Sequence, residues 1–278
     1  IGCGPGLGHC NGGAEPRLGA AADVTRTGAG DLSQAAARLR DALMARTMTR
    51  VVRETEAGSV DMTRLAQIGA GLTLRPYQDT TAGHSLDTAV GLMLDASGSM
   101  AKDAQGDRLG NVCRAGWAIA KACAAARLPL ILGAYTGSPA IFARGGNIAG
   151  MRDVCERLEA TGGTDAPAAV ELISRELLAV RARRRVAIVL CDGHADASDP
   201  RWQRATASGI DWRLVAIECW NDSDSTRGIR EIRAQEHSPT WRGRFSVAQG
   251  GEGAAREMLD LLRRLLETGK REHALALV

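Results

Sequence analysis

Aromatic residues make up only 3% of the 278-residue chain, with five Trp, two Tyr and two Phe. A core must therefore be built from Leu, Ile, Val and Ala, which the apolar fraction of 45% supplies. Lysine is nearly absent, occurring only as Lys102, Lys121 and Lys270. The remaining basic residues are arginine, and the net charge of +3 is too small to argue for a nucleic-acid partner. No apolar run reaches 18 residues, which excludes a spanning helix, and the opening "IGCGPGLGHCNGG" lacks the basic and apolar parts of a signal peptide. The chain begins on Ile1, as a processed or truncated product of a longer protein would. The phosphate loop GxxxxGK[ST], the fingerprint GxGxxG and the nucleophile elbow GxSxG are all missing, which argues against a motor, a dinucleotide enzyme and an α/β-hydrolase.

Seven cysteines, an odd number, cannot form a complete disulfide framework. Cys113, Cys123, Cys155, Cys191 and Cys219 fall in apolar segments, where free cysteine behaves as a small buried hydrophobe. Cys3, His9 and Cys10 hint at a metal, yet no CxxC pair supports zinc. This usage points to a reducing compartment. The basic run Arg181–Arg185 follows a predicted helix, where cations favour the helix dipole, with a docking patch as the alternative.

Residues 1–30 are rich in Gly and Ala without periodicity and read as a flexible lead. From Asp31 the spacing of Leu32, Ala35, Leu39, Ala42, Leu43 and Met44 predicts a helix running to about Glu56, followed by a shorter helix at "MTRLAQI" and an edge strand at "LTLRPYQD". Residues 31–86 thus form a helical extension. Over residues 87–268, apolar strands (89–94, 130–135, 185–191, 212–219, 244–247) alternate with helices (107–127, 150–159, 166–182, 199–207, 225–235, 252–267), leaving 269–278 as a tail. Strands apolar on both faces between amphipathic helices imply a doubly wound, mostly parallel α/β sheet.

Ligands of such sheets bind beyond the carboxyl ends of the strands. There the first strand ends in "DASGSM", presenting Asp95, Ser97 and Ser99, and a central strand ends in "VLCDG", presenting Asp192. The loop "ATGGTDAP" brings Thr161, Gly162, Gly163, Thr164 and Asp165 to the same edge. Singly, each has a plain structural reading: the serines or Thr164 as helix caps, Asp192 as a turn residue before Gly193. Together, two carboxylates and three hydroxyls make an all-oxygen set suited to a hard cation, Mg²⁺ or Mn²⁺. His84, His194 and His237 are scattered, and a two-metal nuclease would need more clustered acids than Asp95, Asp192 and Asp165 or Asp196 offer. Independent catalysis is the lesser reading.

"DASGSM", "TGGTD" and "CDG" resemble the metal-ion-dependent adhesion site of von Willebrand factor A domains. The resemblance implies that Ser97, Ser99 and Thr164 touch the metal and that Asp95 and Asp192 act through water. It implies further that the open metal position accepts a partner's carboxylate. The order "LRDALMARTMTRVVRETEAG", "DMTRLAQI", "DTAVGLMLDASGSM" is similar to the C-terminal half of the T subunit of aerobic cobaltochelatase. That likeness implies a cytoplasmic hetero-oligomer with an AAA+ ATPase ring and a large substrate-binding subunit, in which this chain is a coupler without chemistry of its own. The alternative is a free-standing ligand-binding A domain serving as a scaffold.

Overall fold

Strand β4 (Thr88–Asp95) is buried at every position, and it lies at the centre of the fold. The computed structural model describes residues 14–21, 29–44, 50–55, 59–60, 67, 69–71, 77–81, 88–102, 107–182, 184–193, 199–217, 241, 244–249 and 253–275. In chain order these hold helix α1 (Ala29–Met44), strands β1 (Arg50–Thr55), β2 (Ser59–Val60) and β3 (Tyr77–Thr81), then β4 and a 3₁₀ turn (Gly98–Met100). Helix α2 (Arg108–Ala125), strands β5 (Leu130–Tyr135) and β6 (Pro139–Gly145), and helices α3 (Ile148–Arg157) and α4 (Ala166–Ala179) follow. Strand β7 (Arg184–Cys191), helix α5 (Pro200–Ala207), strands β8 (Asp211–Ile217) and β9 (Phe245–Ala248), and helix α6 (Ala254–Leu275) complete them.

The main sheet has the order β6-β5-β4-β7-β8-β9. All its pairs are parallel except β5 with β6. The chain winds outward from β4 through β5 to β6, then returns to β7 on the other side of β4. Order therefore reverses between β4 and β7, and the crevice at their carboxyl ends is where a doubly wound sheet receives a ligand.

Alternation along the strands splits the core into two layers. Val90, Leu92 and Leu94 of β4 face one layer, with Leu32 and Leu39 of α1, Ile119 of α2, Met151 of α3 and Leu262 of α6. Ala89 and Met93 face the other, with Val170 and Ile173 of α4 and a cluster of Trp202, Trp212, Trp241 and Phe245. Trp202 and Trp241 meet edge to face at 4.5 Å between ring centroids, so the few aromatics are concentrated where one layer needs bulk.

Three expectations change upstream of the sheet. The first helix ends at Met44, and Arg50–Thr55, expected as its last turns, is a strand paired antiparallel with β3. The residues Val51, Val52 and Thr55 are β-branched and favour the pleated conformation over a helical continuation. Helix α1 is also part of the core, with Leu39 fully buried and Leu32, Ala35 and Ala36 packed beside it. Residues 14–21, read as part of a flexible lead, run antiparallel to the end of α3. Gly19 N–H donates to Arg157 O at 2.7 Å and Glu159 N–H to Arg17 O at 3.1 Å. Leu18 pairs with Leu158, and the buried Pro16 helps to seat the segment.

Within the sheet, β6 was not anticipated: its apolar run is only the four residues Ala140–Ala143, bounded by Pro139 and Arg144. The last helix continues to Leu275, into the segment read as a tail. The helix anticipated at 225–235 and most of "MTRLAQI" lie outside the described residues, as do Cys3, His9, Cys10, Cys219, His84, His194 and His237. No helix among the described residues is long and apolar enough to cross a membrane.

Candidate metal centre

Strand β4 delivers Asp95 to the carboxyl edge, where the side chain is fully buried. Its Oδ1 accepts from Ser97 N–H at 2.8 Å, and its Oδ2 accepts from the Tyr135 hydroxyl at 3.1 Å. Both partners are neutral, so neither offsets the charge. Burial, reinforced by the nearby charge of Asp192, pushes Asp95 up to about 7 against the hydrogen bonds from Ser97 and Tyr135.

The backbone after Asp95 tightens into the 3₁₀ turn, with Met100 N–H donating to Ser97 O at 3.0 Å. Met100 is fully buried and anchors the turn in the core. Ser97 precedes this turn, yet its hydroxyl makes no capping bond. It lies 3.0 Å from the hydroxyl of Ser99, which donates to Asp192 Oδ2. Either serine hydroxyl can supply the proton of the bond between them, and the Ser97 hydroxyl also bonds to the Asp95 carboxylate. Asp192, fully buried, follows the end of β7. Asp95, Ser97, Ser99 and Asp192 are thus joined in one chain of hydrogen bonds across the point where strand order reverses.

Thr164 stands differently. It is exposed, and its loop rather than its side chain is tied to the serine turn. Thr161 N–H donates to Ala96 O at 2.8 Å, and Gly98 N–H donates to Gly162 O at 3.1 Å. A Cβ on Gly98 would lie 3.2 Å from that carbonyl, and Gly162 holds φ at +68°, so the approach of the two loops depends on both glycines. The cap of α4 is Asp165, not Thr164, and its Oδ1 accepts from Ala168 N–H at 3.0 Å. Asp165 also pairs with Arg201, which Asp199 holds from the other side. That leaves Thr164 without a capping task.

Two contributors were not foreseen. Tyr135 ends β5 in register with Asp95, so neighbouring parallel strands carry the two side chains to one point. The spacing of 40 residues gives no hint of this, but the strand order does. Arg108, buried at the start of α2, donates through Nε to Ser99 O at 3.0 Å and braces the turn. The basic run resolves mostly as helix and strand support. Arg185 donates to Leu177 O at 2.8 Å and Val180 O at 3.0 Å at the end of α4, and Arg184 pairs with Asp211 at 2.9 Å. Burial pushes the Cys113, Cys123, Cys155 and Cys191 thiols up, which keeps them protonated and unreactive.

The donor set fits a hard divalent cation. Two fully buried carboxylates lie close enough for the charge of Asp192 to raise the pKa of Asp95, and burying charge costs several kcal/mol per ion. No group of three His, Cys, Asp or Glu side chains occurs among the described residues, so hydroxyls must complete any set here. Oxygen donors of this kind suit Mg²⁺ or Mn²⁺ rather than a thiolate-seeking metal.

No protein-family model matches the chain, and no curated protein matches it in sequence. Solved structures do match. The conserved hypothetical protein BatB from Bacteroides thetaiotaomicron is 16% identical, with a TM-score of 0.50 over 65% of this chain and 99% of its own. The vWF domain of the type V pili tip protein Mfa5 from Porphyromonas gingivalis is 12% identical, with a TM-score of 0.51 over 66% of this chain and 96% of its own. A D319A mutant of the PilB minor pilin from Streptococcus sanguinis is also 12% identical, at 0.50 over 69% and 64%. At such identities the likeness is one of fold, and the fold is that of the von Willebrand factor A domain.

Proposed function

We propose that this chain is a Mg²⁺-dependent protein-interaction module. The observation that carries the reading is the pair of buried carboxylates, Asp95 and Asp192, linked through Ser97 and Ser99 at the crevice where strand order reverses. Ser97, Ser99 and Asp192 would hold the cation, with Asp95 behind them and Thr164 entering from its loop. A bound cation supplies an electrophilic point that accepts a carboxylate from a partner protein. The chain's own residues orient the hydroxyls, through Met100 and Arg108, and keep the acids dry. Mn²⁺ is the alternative occupant.

For the partner we infer an AAA+ ATPase ring within a cytoplasmic hetero-oligomer. The support is the sequence likeness to the cobaltochelatase T subunit, and the four buried free thiols accord with a reducing compartment. On that reading the task is metal insertion into a corrin or other tetrapyrrole, with a large chelatase subunit alongside. A second reading is favoured by helix α1, which packs into the domain core and so has a structural purpose without a chelatase. It makes the chain a stand-alone A-domain scaffold that works with an unrelated ATPase.

The test is capture of partners from lysate of the native host by the tagged chain, in Mg²⁺ and in EDTA, with Asp95→Ala as control. An AAA+ ATPase retained only in Mg²⁺ and only by the wild type supports the module, and a co-purifying large chelatase subunit selects the first reading. Equal binding by Asp95→Ala in Mg²⁺ sinks both.

A further inference from the structure

We propose that residues 14–21 form a strap that sets the position of the threonine loop, so that docking of this N-terminal segment and cation occupancy of the site reinforce each other. The inference rests on the cation-binding reading above and names a regulation of that same site.

The strap is tied at three places: ahead of the loop, within it, and at Thr136 beside it. Residues 157–159, which lead into the loop, are paired with it through Gly19 N–H to Arg157 O at 2.7 Å and Glu159 N–H to Arg17 O at 3.1 Å. The Arg157 side chain adds a bond from Nε to Gly19 O at 2.8 Å. In the middle of the loop, Gly162 lies against Ala14, whose Cβ would be 3.4 Å from a Cβ placed on the glycine. Beyond the loop, the hydroxyl of Thr136 donates to Ala14 O, while the carbonyl of Thr136 accepts from Asp165 N–H at 2.8 Å. Thr136 is fully buried and directly follows Tyr135, the residue bonded to Asp95. One residue, through its hydroxyl and its backbone carbonyl, therefore links the strap, the cap of α4 and the strand end that carries Tyr135.

The serine turn holds the threonine loop from one side, and the strap holds it from the other. A loop fixed by both is pre-organised beside the serines, which lowers the ordering entropy that cation binding must overcome. Coupling of this kind is reciprocal: whatever the strap adds to cation affinity, the cation adds to strap docking. Leu18 seats the strap against Leu158 and the core layer beneath.

The experiment is Mg²⁺ titration calorimetry on the full chain and its variants Leu18→Asp and Thr136→Val, with Leu178→Asp, on the exposed face of α4, as control. Amide hydrogen exchange at Gly19 and Glu159 is followed in parallel, with and without Mg²⁺. The strap account expects Leu18→Asp and Thr136→Val to weaken Mg²⁺ binding about fivefold or more. It expects Leu178→Asp to leave binding unchanged and Mg²⁺ to slow exchange at both wild-type amides. Unchanged or tighter Mg²⁺ binding in Leu18→Asp, with strap amides indifferent to the metal, overturns the strap and leaves the metal site standing. A wild-type chain that binds no divalent cation removes the site and the strap together. Should Leu18→Asp fail to fold, Thr136→Val and wild-type exchange decide alone.

Discussion

Asp95 is held where an ionised carboxylate is disfavoured, and that has a measurable consequence. Its pKa of about 7 in the folded chain lies above the ordinary aspartate value of 3.8. Between these values the unfolded chain releases the proton while the folded chain keeps it. The folded state then binds more protons, and stability falls as pH rises through that window before levelling above about 7. Without divalent cations, thermal unfolding of the wild type should show this decline. Asp95→Asn should abolish it and gain about 1–3 kcal/mol at pH 8 in EDTA, because a neutral side chain replaces a buried charge. Mg²⁺ should raise the melting temperature of the wild type at pH 8 and leave that of Asp95→Asn unmoved. A wild type whose metal-free stability is flat from pH 5 to pH 8 would contradict the burial argument. At this scale the sequence showed the candidate site residues, since acids and hydroxyls at apolar strand ends stand out against their surroundings. Tyr135 was hidden because its role arises only from the pairing of β4 with β5. Arg108 was hidden because an arginine beginning a helix is ordinary until its guanidinium is seen on Ser99 O.

Among the elements, helix α1 is the test of where the domain begins. An extension independent of the sheet would leave the α2 and α6 surfaces complete without it. Instead Leu39 is fully buried and shares a core layer with Ile119 and Leu262. Leu39→Ala should therefore lower the unfolding free energy by about 2–5 kcal/mol, as loss of a core leucine does, in a single cooperative transition read by chemical denaturation. A loss under half a kcal/mol, or a separate early transition, would restore the view of α1 as an appendage. The main-sheet strands were legible because parallel strands buried on both faces read as unbroken apolar runs, "VGLMLD" and "VAIVLC" being examples. Strand β6 was not legible, because its apolar run of four residues, bounded by Pro139 and Arg144, is short beside those of the buried strands. Segment 50–55 misled because helical spacing of Leu, Ala and Met continues up to Met44, and the β-branched Val51, Val52 and Thr55 are all that mark the change within it. The strap escaped notice for a simpler reason. Its bonds are made by backbone groups of Ala14, Arg17 and Gly19, which leave no pattern in side-chain type.

At the scale of the whole molecule, a doubly wound sheet and a reversal of strand order bring buried acids and hydroxyls to one sheet edge, which we propose a cation completes as a docking site. The fold places the edge, and the acids and hydroxyls gathered there would suit a hard metal. Everything proposed about partners passes through that metal. The most direct measurement is thus a Mn²⁺ titration of the purified chain followed by the electron paramagnetic resonance signal of free Mn²⁺. The account predicts uptake of one ion per chain, displaceable by Mg²⁺ and lost in Asp192→Ala and in the double variant Ser97→Ala/Ser99→Ala, with both variants still folded by circular dichroism. A free-ion signal that rises with added Mn²⁺ as steeply in the wild type as in buffer, or uptake retained by Asp192→Ala, would contradict it.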